Sequence, residues 1–199
     1  MQEITIQDPF GQALAKYSEG LSLGVEIGGG TGDGSTQCIR TRELFSFEIH
    51  PDRIARHKYN MDSRQGGIAV NWLSSNPMLW MSLKDVEDFY RTTQTKLNQY
   101  PLEQIIEWHR EDFRVSKKYT WGHPTIKDEA DFLLLDGGAF SGRADFMVWF
   151  PKLKEGGIIA LDDTNDIKNH GNYQWLKTAG HPVLWEEPSW RNGCAIFRK

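Results

Sequence analysis

Cysteine is scarce in this chain: Cys38 and Cys194 are the only two, they lie far apart, and neither belongs to a CxxC or Cys/His cluster. Neither a disulfide framework nor a structural zinc site is indicated, and a reducing cytoplasm is the expected setting. Nowhere do about 18 apolar residues run together, so no membrane-spanning helix and no membrane partner are expected. The opening MQEITIQDPF has no basic stretch followed by an apolar one, so no cleaved export signal is expected either. Charge of one sign is also lacking. The 23 Lys and Arg nearly match the 27 Asp and Glu, and the net charge of -4 gives no field that would gather a polyanion, so nucleic acid is not expected as a partner. No repeat or Pro/Gly/Ser-rich linker divides the 199 residues, a length that suits one α/β domain over 1–199. The eight tryptophans are scattered and by count alone carry no role.

What is present is an alternation of strand and helix with a polar, helical middle. Leu23 to Ile27 reads as a strand, followed by a glycine run and a helix opening at Ser35. Leu44 to Ile49 is a second strand, and Pro51 starts a helix through Tyr59. A third strand, Ile68 to Trp72, ends at Ser74 and Ser75. Leu83 to Asn98 and Leu102 to about Lys117 read as two helices, the second with Leu102, Ile105, Ile106, His109 and Phe113 on one face. Residues 77–117 therefore form an expected helical insertion or lid, rich in Trp80, Phe89, Tyr90, Tyr100 and Trp108, most of which are expected to pack. The apolar runs Phe132 to Leu135 and Ile158 to Leu161 are expected to be central parallel strands, joined by a helix near Arg143 to Leu153. A short helix at Tyr173 to Thr178 precedes Pro182 to Trp185 and Cys194 to Phe197, which read as a closing hairpin. The expected fold is α/β: a doubly wound, Rossmann-like, mostly parallel sheet with its ligand at the carboxyl ends of the strands.

The loop after the first strand reads Glu26-Ile27-Gly28-Gly29-Gly30-Thr31-Gly32-Asp33-Gly34-Ser35. Glycine lets the backbone turn tightly and approach a ligand closely, and a helix start offers free N–H donors, with Ser35 as a further donor. Glu48 closes the second strand 20 residues after Gly28, where a carboxylate can accept from both hydroxyls of a ribose. Together they point to a nucleoside. A dinucleotide would bring its pyrophosphate against Glu26 and Asp33, whereas S-adenosylmethionine brings an ammonium, a sulfonium and no phosphate. The sign of charge favours the sulfonium cofactor.

Through Val25-Glu26-Ile27-Gly28-Gly29-Gly30-Thr31-Gly32, Phe47-Glu48-Ile49-His50-Pro51-Asp52 and Leu153-Lys154-Glu155-Gly156-Gly157-Ile158-Ile159, the sequence resembles the class I S-adenosylmethionine-dependent methyltransferases. The resemblance implies a seven-stranded sheet with an antiparallel last strand. It also implies cofactor contacts at Glu26, Gly28, Gly30, Gly32 and Glu48, with Ser74 or Ser75 near the adenine and Asp136 bordering the pocket.

Asp136, Asp162 and Asp163 end the two central strands, a set of hard oxygen ligands that suits Mg2+ or another divalent cation. The arrangement is similar to that of macrocin-type sugar O-methyltransferases, and this likeness implies a metal-held acceptor with Asp136 and Asp163 taking part in catalysis. The chain departs from that pattern at Gly137-Gly138-Ala139-Phe140, where no acid stands two residues on to serve as base. The structural alternative has Asp162 or Asp163 capping the next element and Asp136 only bordering the cofactor. Asn165 and Asp166 are secondary oxygen ligands, more often turn formers.

Of His50, His57, His109, His123, His170 and His181, none sits in a diagnostic motif; His109 on its apolar face reads as structural, and His170 as a weak candidate base. No GxSxG elbow makes a nucleophile of Ser141 or Ser35. The expected activity is O-methylation of a small hydroxylated acceptor such as a sugar or natural product. A non-catalytic nucleoside-binding module and a nicotinamide-dependent oxidoreductase are the rival readings; self-association stays open.

Overall fold

The computed structural model describes residues 3–95, 100–122, 126 and 129–199. Seven strands form one sheet: β1 (Leu23–Ile27), β2 (Glu43–Phe47), β3 (Gly67–Val70), β4 (Ala130–Leu135), β5 (Leu153–Asp162), β6 (Val183–Glu187) and β7 (Cys194–Arg198), in the order β3-β2-β1-β4-β5-β7-β6. The first five run parallel, and β7 lies antiparallel between β5 and β6. This is the expected mostly parallel sheet with a reversed C-terminal strand. The chain order reverses at β1 and β4, and there the strand ends leave a crevice.

Both faces of the sheet are covered, so the central strands are buried: all five residues of β1 are buried, as are the last four of β4, Phe132 to Leu135. One apolar cluster joins Val25, Leu133 and Ile159 to Phe47, Trp149 and Phe197. The other joins Phe132, Leu134 and Ala160 to Phe10, Leu14 and Ile39. Alternate residues of each strand thus serve opposite layers.

The helices are α1 (Pro9–Ser18), α2 (Ser35–Cys38), α3 (Pro51–Ser63), α4 (Leu83–Thr92), α5 (Leu102–Ser116), α6 (Gly142–Trp149) and α7 (His170–Thr178). Helix α1 was not expected, although Pro9 at its first turn and the buried Phe10, Ala13 and Leu14 carry its pattern. The expected helix at Ser35 is a single turn that stops at Cys38. Helix α4 ends at Thr92, short of the expected Asn98, which lies outside the described residues. In the 77–117 segment a Ser82–Asp85 capping box starts α4, and Val86 and Ile105 pack on Phe140 and Ile167. That small core holds α4 and α5 over the carboxyl ends of β4 and β5.

Candidate active site

A cleft of about 800 Å3 opens at the carboxyl ends of the strands, bounded by the glycine loop, the end of β2, the segment after β3, helix α5 and the loops after β4 and β5. Gly28 shows why the loop is glycine: its φ is 91°, and a Cβ there would stand 2.2 Å from the Asp136 carbonyl oxygen. The β1 and β4 loops can meet only without that side chain. The Gly28 and Gly29 amides both donate to the Phe47 carbonyl at 2.9 Å, which ties the loop to the end of β2.

Gly28, Gly30, Ser35, Glu48, Ser74, Asp136 and Asp163 all line the cleft. Glu48 is nearly buried; its Oε1 accepts from the Ile49 and His50 amides at 2.8 and 2.6 Å. Its Oε2 lies 3.9 Å from Arg53. The amides orient the carboxylate and leave the second oxygen for the cleft. Ser74 donates to Asp145 at 2.6 Å, and Ser141 donates to the other oxygen of the same carboxylate at 2.8 Å. Buried Asp145 thereby clamps the loops after β3 and β4 together.

Three residues expected at the cofactor lie elsewhere. Gly32 and Ser75 do not line the cleft, and Ser75 accepts from the Trp80 indole N–H at 3.0 Å. Glu26 is 0 % exposed beneath the loop and accepts from the hydroxyls of Ser35, Thr36 and Ser46 at 2.6, 2.7 and 2.5 Å. Burial raises its pKa above the ordinary carboxylate value, against the pull of those hydroxyls. Ser46, whose hydrogen goes to Glu26, must accept from His57 Nε2 at 2.9 Å, which sets the histidine tautomer. Burial lowers the His57 pKa, so the ring stays neutral. Glu26 is therefore a support for the glycine loop. A carboxylate on a fully buried strand has no route to the cleft.

Asp33, the other loop acid, pairs with Arg56 at 2.5 Å, and that hydrogen bond holds its pKa down. The acidic character of the cleft comes instead from Glu3, Glu48, Glu111, Asp112, Asp136, Asp163 and Asp166, which outnumber Arg53, Lys168 and Arg191. Among these, Asp112 was not expected. It lies on the inner face of α5, one turn from His109, with Oδ2 3.5 Å from where a side chain at Gly138 would begin. Burial, with Glu111 nearby, pushes its pKa up to about 6. Asp166 is likewise pushed up to about 6, by burial and then by Asp163.

Oxygens of Asp136, Asp162 and Asp163 come within 4.8 Å of one another, as the sequence suggested. The positive charge among them is a lysine: Lys168 Nζ stands 2.8 Å from Asp136 and 2.5 Å from Asp163. Arg191 approaches Asp162 at 3.4 Å, and Asn192 donates to Asp163 at 2.9 Å. Burial works against the Lys168 charge, yet Asp136, Asp163 and Asp162 keep its pKa well above the usual lysine value. Burial alone would raise Asp163, but Lys168 holds it below the usual range. For Asp162, burial together with Asp136 and Asp163 raises the pKa. These residues do not fit a resident divalent ion. Nor does Asp162 or Asp163 cap the next helix; Asp163 takes a left-handed turn at φ 56°.

His50 lines the cleft and its Nδ1 accepts from the Asp52 amide at 3.4 Å, whereas His109 and His170 serve packing. His109 bonds the Met81 carbonyl at 2.8 Å and packs tilted against Phe113 and edge-on to Phe140, and His170 packs edge-on to Phe89. His123 lies outside the described residues. Asn165 binds the Pro188 carbonyl at 2.9 Å and not the cleft. Among the described residues no helix is long and apolar enough to cross a membrane.

No family model matches the chain, and no protein of curated function matches it in sequence. Solved structures do match in shape. A Staphylococcus aureus protein provisionally described as a caffeoyl-CoA O-methyltransferase superposes with a TM-score of 0.53 at 12 % identity, over 96 % of this chain and 80 % of that one. An rRNA methylase from Streptococcus thermophilus gives 0.51 at 9 % identity, over 96 % and 93 %. A precorrin-6y C5,15-methyltransferase from Geobacter metallireducens gives 0.51 at 11 %, over 95 % and 84 %. The chain thus has the seven-stranded α/β fold found in methyltransferases of quite different substrates.

Proposed function

We propose that this protein is an S-adenosylmethionine-dependent methyltransferase that acts on a hydroxyl oxygen of a small acceptor, such as a sugar or sugar-bearing natural product. The observation that carries the reading is that the glycine loop and Glu48 meet in one acid-rich cleft at the point where strand order reverses. The donor set fits the cofactor. Gly28 and Gly30 present bare backbone, Glu48 Oε2 can accept from a ribose hydroxyl, and the prevailing acids favour a cation over a pyrophosphate. A volume of about 800 Å3 suits a nucleoside and a small acceptor side by side.

When bound, the cofactor supplies a methyl carbon already activated by its sulfonium. The protein's work is then to position a nucleophile and take its proton. Asp112 and Asp166 are the cleft carboxylates placed and tuned for the latter, each with a pKa pushed up to about 6. Trp72, Tyr100 and Trp108 wall the same cleft and would exclude water from the acceptor. The acidic lining and the net charge of -4 argue against a nucleic-acid acceptor.

Calorimetric titration with S-adenosylhomocysteine tests the reading, with NAD as the competing ligand. Micromolar binding of the first and none of the second is expected. Binding of NAD alone would replace the reading by an oxidoreductase, and binding of neither would overturn it.

A further inference from the structure

We propose that the Lys168 ammonium is the resident cation of the strand-end acid cluster and takes the place of a divalent ion among Asp136, Asp162 and Asp163. The three oxygens lie within 4.8 Å of one another, the spacing at which a single cation can touch all of them. A divalent ion would have to sit roughly 2.0–2.6 Å from such oxygens. Lys168 Nζ is already 2.8 Å from Asp136 and 2.5 Å from Asp163, so it fills that volume. An ammonium and a metal ion cannot share it.

The lysine is held there by more than charge. Its side chain is 7 % exposed, unlike a surface lysine that could swing away. The next residue, Asn169, is fully buried and donates through Nδ2 to the Leu135 carbonyl at 2.9 Å and the Asp162 carbonyl at 2.7 Å. One side chain thus pins residue 169 to the ends of both β4 and β5. On the other side, Gly142 packs so closely that a Cβ there would stand 2.0 Å from the Lys168 carbonyl oxygen. The stem of Lys168 therefore starts from a fixed point beside the acids, and Arg191 at 3.4 Å from Asp162 adds a second positive charge to the cluster.

The consequence for chemistry follows from ligand number. A metal ion can chelate two acceptor oxygens at once, whereas an ammonium with two hydrogens already on carboxylates has one left to offer. Within the methyltransferase reading, the acceptor would be recognised by single hydrogen bonds and not by chelation, and the reaction would proceed in the presence of a chelator.

The test uses the full chain and Mn2+ alone, so it is independent of the cofactor and the acceptor. Wild type is expected to show no calorimetric Mn2+ binding at millimolar concentration. Lys168→Ala, which removes the ammonium and exposes the three carboxylates, is expected to gain a micromolar Mn2+ site that Asp136→Asn in the same variant abolishes. Mn2+ binding by wild type that weakens in Asp163→Asn would overturn the proposal, as would a folded Lys168→Ala that binds no Mn2+. Should Lys168→Ala fail to fold, nitrogen NMR of the wild-type protein decides. The Lys168 Nζ resonance, assigned through Lys168→Arg, stays unmoved by millimolar Mg2+ if the proposal holds and shifts or disappears if it does not. Failure of S-adenosylhomocysteine to bind would leave either result standing.

Discussion

Gly138 leaves open the space into which Asp112 reaches: a Cβ at residue 138 would lie 3.5 Å from Asp112 Oδ2. A carboxylate from the inserted helix α5 thus stands beside the loop after β4, in which Gly137-Gly138-Ala139-Phe140 offers no acid beyond Asp136. If Asp112 accepts the acceptor proton, Asp112→Asn should lower the turnover rate by roughly 100-fold or more. Binding of S-adenosylhomocysteine should persist. Activity of wild type should rise with pH through the region of about 6 to which burial pushes this group, because the base must be ionised. A variant with unchanged turnover and pH profile would remove Asp112 from the chemistry.

The same group makes a stability prediction of opposite sense. Its folded pKa lies above the ordinary aspartate value of 3.8, so the folded state binds the extra proton. The stabilisation linked to it is fully present below that value and is lost as pH rises through about 6. Asp166, also raised to about 6, adds in the same direction. Thermal melts from pH 4 to 7 should therefore show a smaller decline in Asp112→Asn than in wild type.

Glu48→Ala should weaken S-adenosylhomocysteine binding by roughly ten- to a hundredfold, the usual worth of about 1.5–3 kcal/mol for hydrogen bonds to a charged group. Because Glu48 Oε1 also accepts from the Ile49 and His50 amides, the melting temperature is expected to fall slightly. Calorimetry and melting separate the two effects.

Gly28→Ala should abolish cofactor binding and cost several kcal/mol of stability, since its Cβ would meet the Asp136 carbonyl at 2.2 Å in a backbone of φ 91°. Gly30→Ala, with φ 58° but open space around its Cβ position, should be the milder of the two. Equal effects would show that steric approach of the β1 and β4 loops is not what Gly28 permits.

Glu26→Ala should act as a stability variant. It leaves the buried hydroxyls of Ser35 and Ser46 without their acceptor, at about 1–3 kcal/mol for each group left unsatisfied, while Thr36 keeps the Gly29 carbonyl at 3.3 Å. Cofactor affinity should fall only as far as the glycine loop loosens. A variant that melts like wild type yet loses binding would place Glu26 in direct contact with the ligand.

What was legible in the sequence depended on period and punctuation. The apolar runs of β4 and β5, the glycines after β1 and Glu48 at the end of β2 announce a parallel sheet with a cleft at its carboxyl edge, because each signal is complete within a few consecutive residues. Asp112 carried a weaker trace. It falls three residues after His109 on the buried face of α5, an acid on an apolar stripe, but only the docking of that helix shows what it faces. Lys168 carried none, as a lysine in a polar loop has no pattern that marks it as buried.

By itself, the sequence determined the α/β class, the strand order of events along the chain and the glycine loop with its paired acid, all consequences of local backbone preference and hydrophobic period. Tertiary structure alone decided how charge is distributed around the cleft. It turned Glu26 inward to three hydroxyls, paired Asp33 with Arg56, brought Asp112 to Gly138 and set Lys168 between Asp136 and Asp163. Electrostatic partners are chosen by distance in space and by burial, and neither quantity is written in the spacing of residues along the chain.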